Sequence, residues 1–316
     1  MPTLGNRFRL WLREVPTITY LLVILVGGFS LLSKDFASPS NFSNLIGQAS
    51  VLVIVSMGQL LAIMSAGIDL SVGSLIGLSG TVAATLLGRG VGLPVSIIAG
   101  VLLCSLCGLL SGVIIAKARL FPFVVTFGML FIAMGINLGI TKGGSIHIAD
   151  PSFEKIGYGG LLGVPVAAWI ALGAVFIVAL IVRRSTFGPH LSALGAMGEG
   201  AWIQGVDVVR CTIIVYFLSG VLAGVAGIVM AGRVVTGNAL IGQGMEFNSI
   251  AAVVLGGTSF VGGEGSIFGT LVGALVITTL SNGLSLLGLR PEIVSGVAGL
   301  AIMACVAGAQ LLQRRG

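Results

Sequence analysis

The sequence predicts an all-α polytopic membrane protein, a transmembrane bundle of about ten helices with one short helix on its cytosolic side. Three observations carry this expectation. Apolar residues make up 56% of the 316, and Asp, Glu, Lys and Arg only 8%, whereas soluble domains run near ~25% charged. Ten apolar blocks approach or reach the about 20 residues that a helix needs to cross the hydrocarbon. The blocks are apolar all round, while strands of a membrane barrel alternate polar and apolar residues, so the spans are helices.

In order, the blocks cover roughly 16–33, 45–66, 71–88, 94–116, 122–141, 164–182, 210–231, 246–262, 266–288 and 291–312. Basic residues orient them, because cytosolic segments are enriched in Lys and Arg. With the N-terminus inside, the inner side holds Arg7, Arg9, Arg13, Lys117, Arg119, Arg183, Arg184, Arg210, Arg314 and Arg315. The outer side holds Lys34, Arg89, Lys142, Lys155, Arg233 and Arg290. The first group is larger, and an even number of spans returns the basic C-terminus to the same side. Residues 1–15 read as a short amphipathic cytosolic segment, with no small-residue cleavage site before the first span. Residues 1–316 form a single transmembrane domain on this reading. The net charge of +6 is dispersed at block ends, so it reflects topology and not a nucleic-acid partner.

Glycine stands at 50 residues, about twice its usual share. The pairs Gly73 and Gly77, Gly108 and Gly112, Gly220 and Gly224, and Gly269 and Gly273 have the small-xxx-small spacing that lets membrane helices approach closely. Cys104 and Cys107 form a C-x-x-C inside an apolar block, with no His or acid beside them, so packing is the better reading than redox or metal work. His147 and His190 lie far apart in the chain. There is no Gly-Lys pair, hence no phosphate-binding loop, and neither G-x-S-x-G nor H-E-x-x-H occurs. No catalytic residue and no metal site is predicted.

Two glycine-rich stretches resemble each other, GIDLSVGSLIGLSG at 67–80 and GGEGSIFGTLVG at 262–273. Each sets an acid, Asp69 or Glu264, beside serine and glycine at a break between blocks, as transporters often do in both halves. The topology places both breaks toward the cytosolic side, either as surface turns or as broken helices that dip into the membrane. The acids have two readings: caps for the helix that follows, or groups on a translocation path or its gate. Ser71, Thr258, Ser259 and Asn282 could likewise bond a polar solute or a neighbouring helix. The outer stretch 142–163 is the one long outer loop and suits a small surface element.

The stretch 183–210, RRSTFGPHLSALGAMGEGAWIQGVDVVR, is too long and too polar for an inter-helix turn, and the arginines at both ends mark it as cytosolic. A segment around Glu199, Ala201, Trp202 and Ile203 can make two helical turns. Trp202 is either an anchor in a partner's pocket or an aromatic at the membrane interface.

Four segments together resemble the permease subunit of bacterial ATP-binding-cassette importers of ribose and related monosaccharides. They are VLVIVSMGQLLAIMSAGIDLSVGSLIGLSG, RSTFGPHLSALGAMGEGAWIQGVDVVRCTIIVYFLSGVLAGVAGIV, IAAVVLGGTSFVGGEGSIFGTLVGALV and SNGLSLLGL. The resemblance implies that a short cytosolic helix in the 183–210 loop docks on an ATPase subunit. Glu199 matches the loop's usual Glu, Gly200 and Ala201 stand where two alanines are common, and Gly205 matches its glycine. Ala196 and Met197 depart from the usual Gly-Asn, Trp202 and Gln204 stand where Arg and a small residue are frequent, and His190 follows Pro189 where Arg commonly follows Gly. The resemblance further implies an ATPase subunit, often with two fused nucleotide-binding domains, that holds ATP and Mg; no cofactor is expected on this chain. An extracytoplasmic sugar-binding protein, a second permease copy or sister permease, and a bacterial inner-membrane location with both termini cytosolic are implied as well. An ion-coupled secondary transporter or a simple facilitator is the rival class, and a branched-chain amino-acid permease the nearer rival.

Overall fold

The computed structural model describes residues 17–290 together with 292–294, 296, 297, 299 and 300. Segment 1–15 and most of block 291–312 lie outside the described residues. In chain order the elements are α1 (Thr17–Leu32), α2 (Pro39–Met64), α3 (Val72–Gly88), α4 (Leu93–Ala118), α5 (Pro122–Thr141), β1 (Ser145–His147), α6 (Pro151–Tyr158), β2 (Gly160–Leu161) and β3 (Val164–Pro165). There follow α7 (Val166–Arg184), α8 (Phe187–Met197), a 3₁₀ helix (Gly198–Gln204), α9 (Val208–Val234), β4 (Thr236–Asn238), α10 (Met245–Leu255) and α11 (Ile267–Leu286).

The all-α bundle expected from composition is what forms. Among the described residues, α2, α4, α5, α7, α9 and α11 are long and apolar enough to cross a membrane, and α1, α3 and α10 are shorter apolar helices. Prolines set several starts: α2, α4, α5 and α6 each carry Pro in the first two positions, where its missing N–H is no loss. Block 246–262 needs correction. Its helix is the 11 residues of α10, about 16 Å of rise, and 256–266 is loop. Gly257 takes φ +87° there, a left-handed conformation that ends an α-helix.

α2 runs through the middle of the bundle and is buried all round from Ala49 to Met64. The glycine pairs act as expected at two contacts. Gly108 and Gly112 of α4 lie against Gly220, Tyr216 and Ile213 of α9, and a methyl added at Gly108 would sit 3.1 Å from the Gly220 Cα. Gly269 and Gly273 of α11 lie against Gly256 and Ala252. The third pair does something else. Gly77 faces the carbonyls of Asn238 and Ala239, and Gly73 faces the Gly242 carbonyl and the Glu246 carboxylate, so the small face of α3 receives a short strand with the turns that follow it and the first turn of α10. That segment enters through β4, which pairs antiparallel with β1, Ser145 opposite Asn238 and His147 opposite Thr236. The outer loop therefore does form a surface element, completed by α6 and the β2–β3 hairpin.

The loops fall into two groups at opposite ends of the bundle. At one end Arg119 reaches Glu199 at 3.5 Å, and Gly263 N–H donates to the Met64 carbonyl at 2.9 Å. At the other end Arg233 meets Asn44, and Ile148 N–H donates to Val235. Helix lengths and alternation thus separate Arg119, Arg183 and Arg210 from Arg89, Lys142 and Arg233, as the charge pattern requires.

Candidate functional site

The break between α2 and α3 (65–71) is organised by Asp69, which is 1% exposed. One carboxylate oxygen accepts the Ser71 backbone N–H at 2.9 Å and the Ser71 hydroxyl at 2.6 Å. The other accepts the Ser219 hydroxyl of α9 at 2.7 Å. Three donors replace the water that burial removes, the condition for keeping such a group inside. Thr126 of α5 donates to the Ile68 carbonyl at 3.1 Å, and the buried Tyr216 hydroxyl abuts Gly67. Asp69 thus bonds the amide of Ser71, the residue that precedes α3, and does not reach into the helix's first turn; Ser71 itself makes no side-chain cap.

The break between α10 and α11 (256–266) is held otherwise. Ser266 caps α11 by accepting Gly269 N–H at 2.9 Å, and Thr258 is buried and accepts Ser266 N–H at 3.2 Å. Glu264, which the spacing offers as a cap, is exposed, because Ser266 already occupies the capping position. Ser259 is half-buried and accepts Gly262 N–H at 3.2 Å through its carbonyl.

The two breaks touch. Gly262 packs on Ala66 so closely that a Cβ would lie 2.9 Å from the Ala66 Cβ, and Gly263 is bonded to Met64. Both glycines have positive φ, +97° and +85°, which only glycine adopts without strain. The 183–210 loop rests on this junction. Its helix α8 buries Gly188, Leu191, Leu194 and Gly195, a single face at spacing three to four, and Gly195 lies against the Met64 carbonyl and Gly263.

Beyond α8, Gly198 takes φ +57° and the chain continues as the seven-residue 3₁₀ helix. The expected two helical turns are present, wound as a 3₁₀ helix of seven residues, and the longer helix, α8, is one that the sequence does not separate from them. Ala201 is fully buried while Trp202 and Ile203 are 69% and 72% exposed. Gly200 is half-buried, Glu199 is held by the exposed pair with Arg119, and Gly205 closes the turn at φ +80°. The result is an aromatic and an aliphatic side chain presented to solvent from an anchored base.

At the opposite end lies a cavity of about 410 Å³ between α2, α9, α10 and α11. Its polar wall comprises Asn44, Gln48, Arg233, Asn248, Thr278 and Ser281, and its apolar wall includes Leu52, Met230 and Ile277. Sequence reading singled out none of these polar residues as a site. The available signal was Asn44 and Gln48 at i, i+4 on α2, one face of a helix. Asn282, which was singled out, is not in the lining; it makes a reciprocal pair with Asn41, both bonds 3.0 Å, and clasps α11 to α2.

A multi-pass helical bundle with a polar cavity at one end and a presented turn seated on two broken helices at the other defines a membrane permease. A family described as the permease component of the branched-chain amino acid transport system matches residues 41–306, and the chain belongs to that family. It is 40% identical to the ribose import permease protein of Escherichia coli over 90% of both chains. It is 35% identical to the D-allose transport system permease protein of the same species, over 93% of this chain and 91% of that one. It is 31% identical to the L-arabinose ABC transporter permease protein of Azospirillum brasilense, over 85% of this chain and 80% of that one. No solved structure matches the chain.

Proposed function

We propose that this chain is the membrane-spanning permease of an ATP-driven importer that carries a monosaccharide across the bacterial inner membrane. The observation that carries the proposal is the exposed Trp202–Ile203 turn, whose base packs through α8 onto both breaks. A partner that grips those two side chains can pull on Met64, Ala66 and Gly263 together, since the contacts between them are backbone contacts. The ATPase subunit is that partner, and it holds ATP and Mg, while this chain binds neither. An extracytoplasmic sugar-binding protein delivers solute to the opposite end, next to the cavity, and a second permease copy or a sister permease completes the path. ATP binding shifts the permease between outward- and inward-open states only as far as the partner binds one state better. Asp69, Ser71, Thr258, Ser259 and Glu264 belong to the gate region in this reading, and Asn282 to its outer frame.

The relatives named for ribose, allose and arabinose favour a monosaccharide, whereas the family description names branched-chain amino acids. Reconstituted with its ATPase and binding protein, the chain is expected to take up labelled pentose or hexose with ATP, unaffected by excess leucine. Uptake by this chain alone, driven by a proton or sodium gradient, would instead make it an ion-coupled transporter. The double variant Trp202→Ala, Glu199→Ala should no longer retain the ATPase in a pull-down. Unchanged retention removes the docking assignment. Thiol labelling of a cysteine placed at Gly200 should proceed from the cytosolic face; labelling only from outside reverses the orientation.

A further inference from the structure

Arg233 enters the sequence reading as one of the outer basic residues, a group expected to face water or lipid headgroups. The fold turns it inward. It is 9% exposed and lines the 410 Å³ cavity. One Nη donates to the Asn44 side-chain oxygen at 2.8 Å, and the guanidinium lies 5.7 Å from the Tyr158 ring centre. Gly47 provides the notch, since a Cβ there would collide with the guanidinium. Among the described residues no carboxylate pairs with Arg233. With Asn44 its hydrogen-bond acceptor among the described residues and no acid beside it, the guanidinium has donors to spare toward the cavity.

The surroundings supply a use for them. Gln48 and Asn248 bring amides that both donate and accept, and Thr278 and Ser281 bring hydroxyl oxygens. Val51, Leu52, Met230 and Ile277 line the rest. Uncharged groups of mixed donor and acceptor character, opposite an apolar wall, match a ligand whose hydroxyls both donate and accept and whose C–H face is apolar. The volume falls in the ~300–1,000 Å³ range of small-molecule sites. A guanidinium fork facing the cavity fits two adjacent oxygens of such a ring.

We infer that the permease carries its own binding subsite for a neutral monosaccharide in this cavity, with Arg233, seated by Asn44 and Gly47, as its specificity-determining donor. This rests on the importer reading above and adds to it: the solute is held by the membrane subunit and does not simply pass through it.

The test uses the full chain in lipid nanodiscs without ATPase or binding protein. Saturation-transfer NMR and equilibrium dialysis measure binding of D-ribose, D-allose and L-arabinose, with ribose 5-phosphate and leucine as further probes. At least one neutral sugar should bind, with Arg233→Met and Asn248→Leu each weakening it ~10-fold or more, about the effect of losing one buried ligand hydrogen bond. Arg233→Lys should recover part of the loss, and Gly47→Ala should weaken binding by displacing the guanidinium. Arg233→Met gives up the Asn44 bond and the Tyr158 contact, so its unfolding temperature is measured beside the parent's, and Asn248→Leu, which leaves both in place, separates ligand loss from misfolding. Neutral-sugar binding that is absent, or unchanged in Arg233→Met and Asn248→Leu, overturns the inference. Tighter binding of ribose 5-phosphate than of every neutral sugar overturns it too, making the cavity an anion site. If no sugar binds here while the complete transporter still takes sugar up with ATP, the subsite is refuted and the importer reading stands. If sugar binds here but ATP drives no uptake, the importer reading is what fails.

Discussion

The breaks at 65–71 and 256–266 read alike as sequence, with an acid, two serines and glycine in each, yet they are held in opposite ways. In the first, the acid is the keystone: Asp69 is buried and gathers Ser71 and Ser219 around it, tying the break to α9. In the second, the acid faces outward and the loop is held by Thr258, Ser266 and backbone contacts. The first break is thereby fastened to the bundle core, while the second is fastened mainly to its own helix ends and to the first. The α8 helix touches both, through Gly195 against the Met64 carbonyl and Gly263. The lesson is that an acid beside glycine marks where a helix breaks, while its burial decides what holds the break.

Four experiments test this contrast. The largest effect is expected from Asp69→Ala, which strands two buried hydroxyls and an amide: about 3–5 kcal/mol of stability in detergent unfolding, with loss of uptake. Glu264→Ala should stay within about 0.5 kcal/mol of the parent, and equal losses for the two would erase the distinction. Next comes the junction itself. Gly262→Ala meets both an unfavourable φ and the Ala66 contact, whereas Gly257→Ala meets only the φ, with nothing within 4 Å of the new methyl. We expect about 1–2 kcal/mol for Gly257→Ala and a larger loss for Gly262→Ala, together with ATP hydrolysis no longer matched by transport in the reconstituted complex. Third, Ser219→Ala removes one bond to a buried carboxylate and should cost about 1–2 kcal/mol; Thr258→Val should cost about half as much, measured in the same unfolding series. The smallest effect belongs to Arg119→Ala. Its pair with Glu199 is exposed on both sides, so stability should change by less than about 1 kcal/mol, and only ATPase retention should respond.

Much of this architecture was legible in the sequence because the bilayer allows so few solutions. Apolar length fixes spans, prolines such as Pro39 and Pro122 mark their starts, and the Asp69 break is visible as a carboxylate where none is affordable. The end of α10 was hidden because the break Gly256-Gly257-Thr258-Ser259 is only four residues long and apolar Phe260-Val261 follow it; backbone handedness at Gly257 ends the helix. α8 was hidden by its polar setting and emerges from contacts to Met64 and Gly263 that no local pattern encodes. The cavity was least legible of all. Its polar wall draws one or two residues each from helices far apart in the chain, and Arg233 looked like an ordinary boundary charge until the fold placed it beside Asn44.

The segment that follows α9 carries a consequence for biogenesis. Residues 236–242 descend along the small face of α3, paired at the entrance with β1. A stretch of strand and turns cannot enter lipid alone, since its amides and carbonyls find partners only within protein. It can leave water only once α3 and the 145–147 strand are already in place, although nearly sixty residues of chain separate the first element from the second, and about ninety separate the second from the segment itself. The last third of the polypeptide must therefore wait on the first, so a nascent chain stopped before β4 would leave an open furrow along Gly73 and Gly77, a natural mark of unfinished assembly for quality-control proteases.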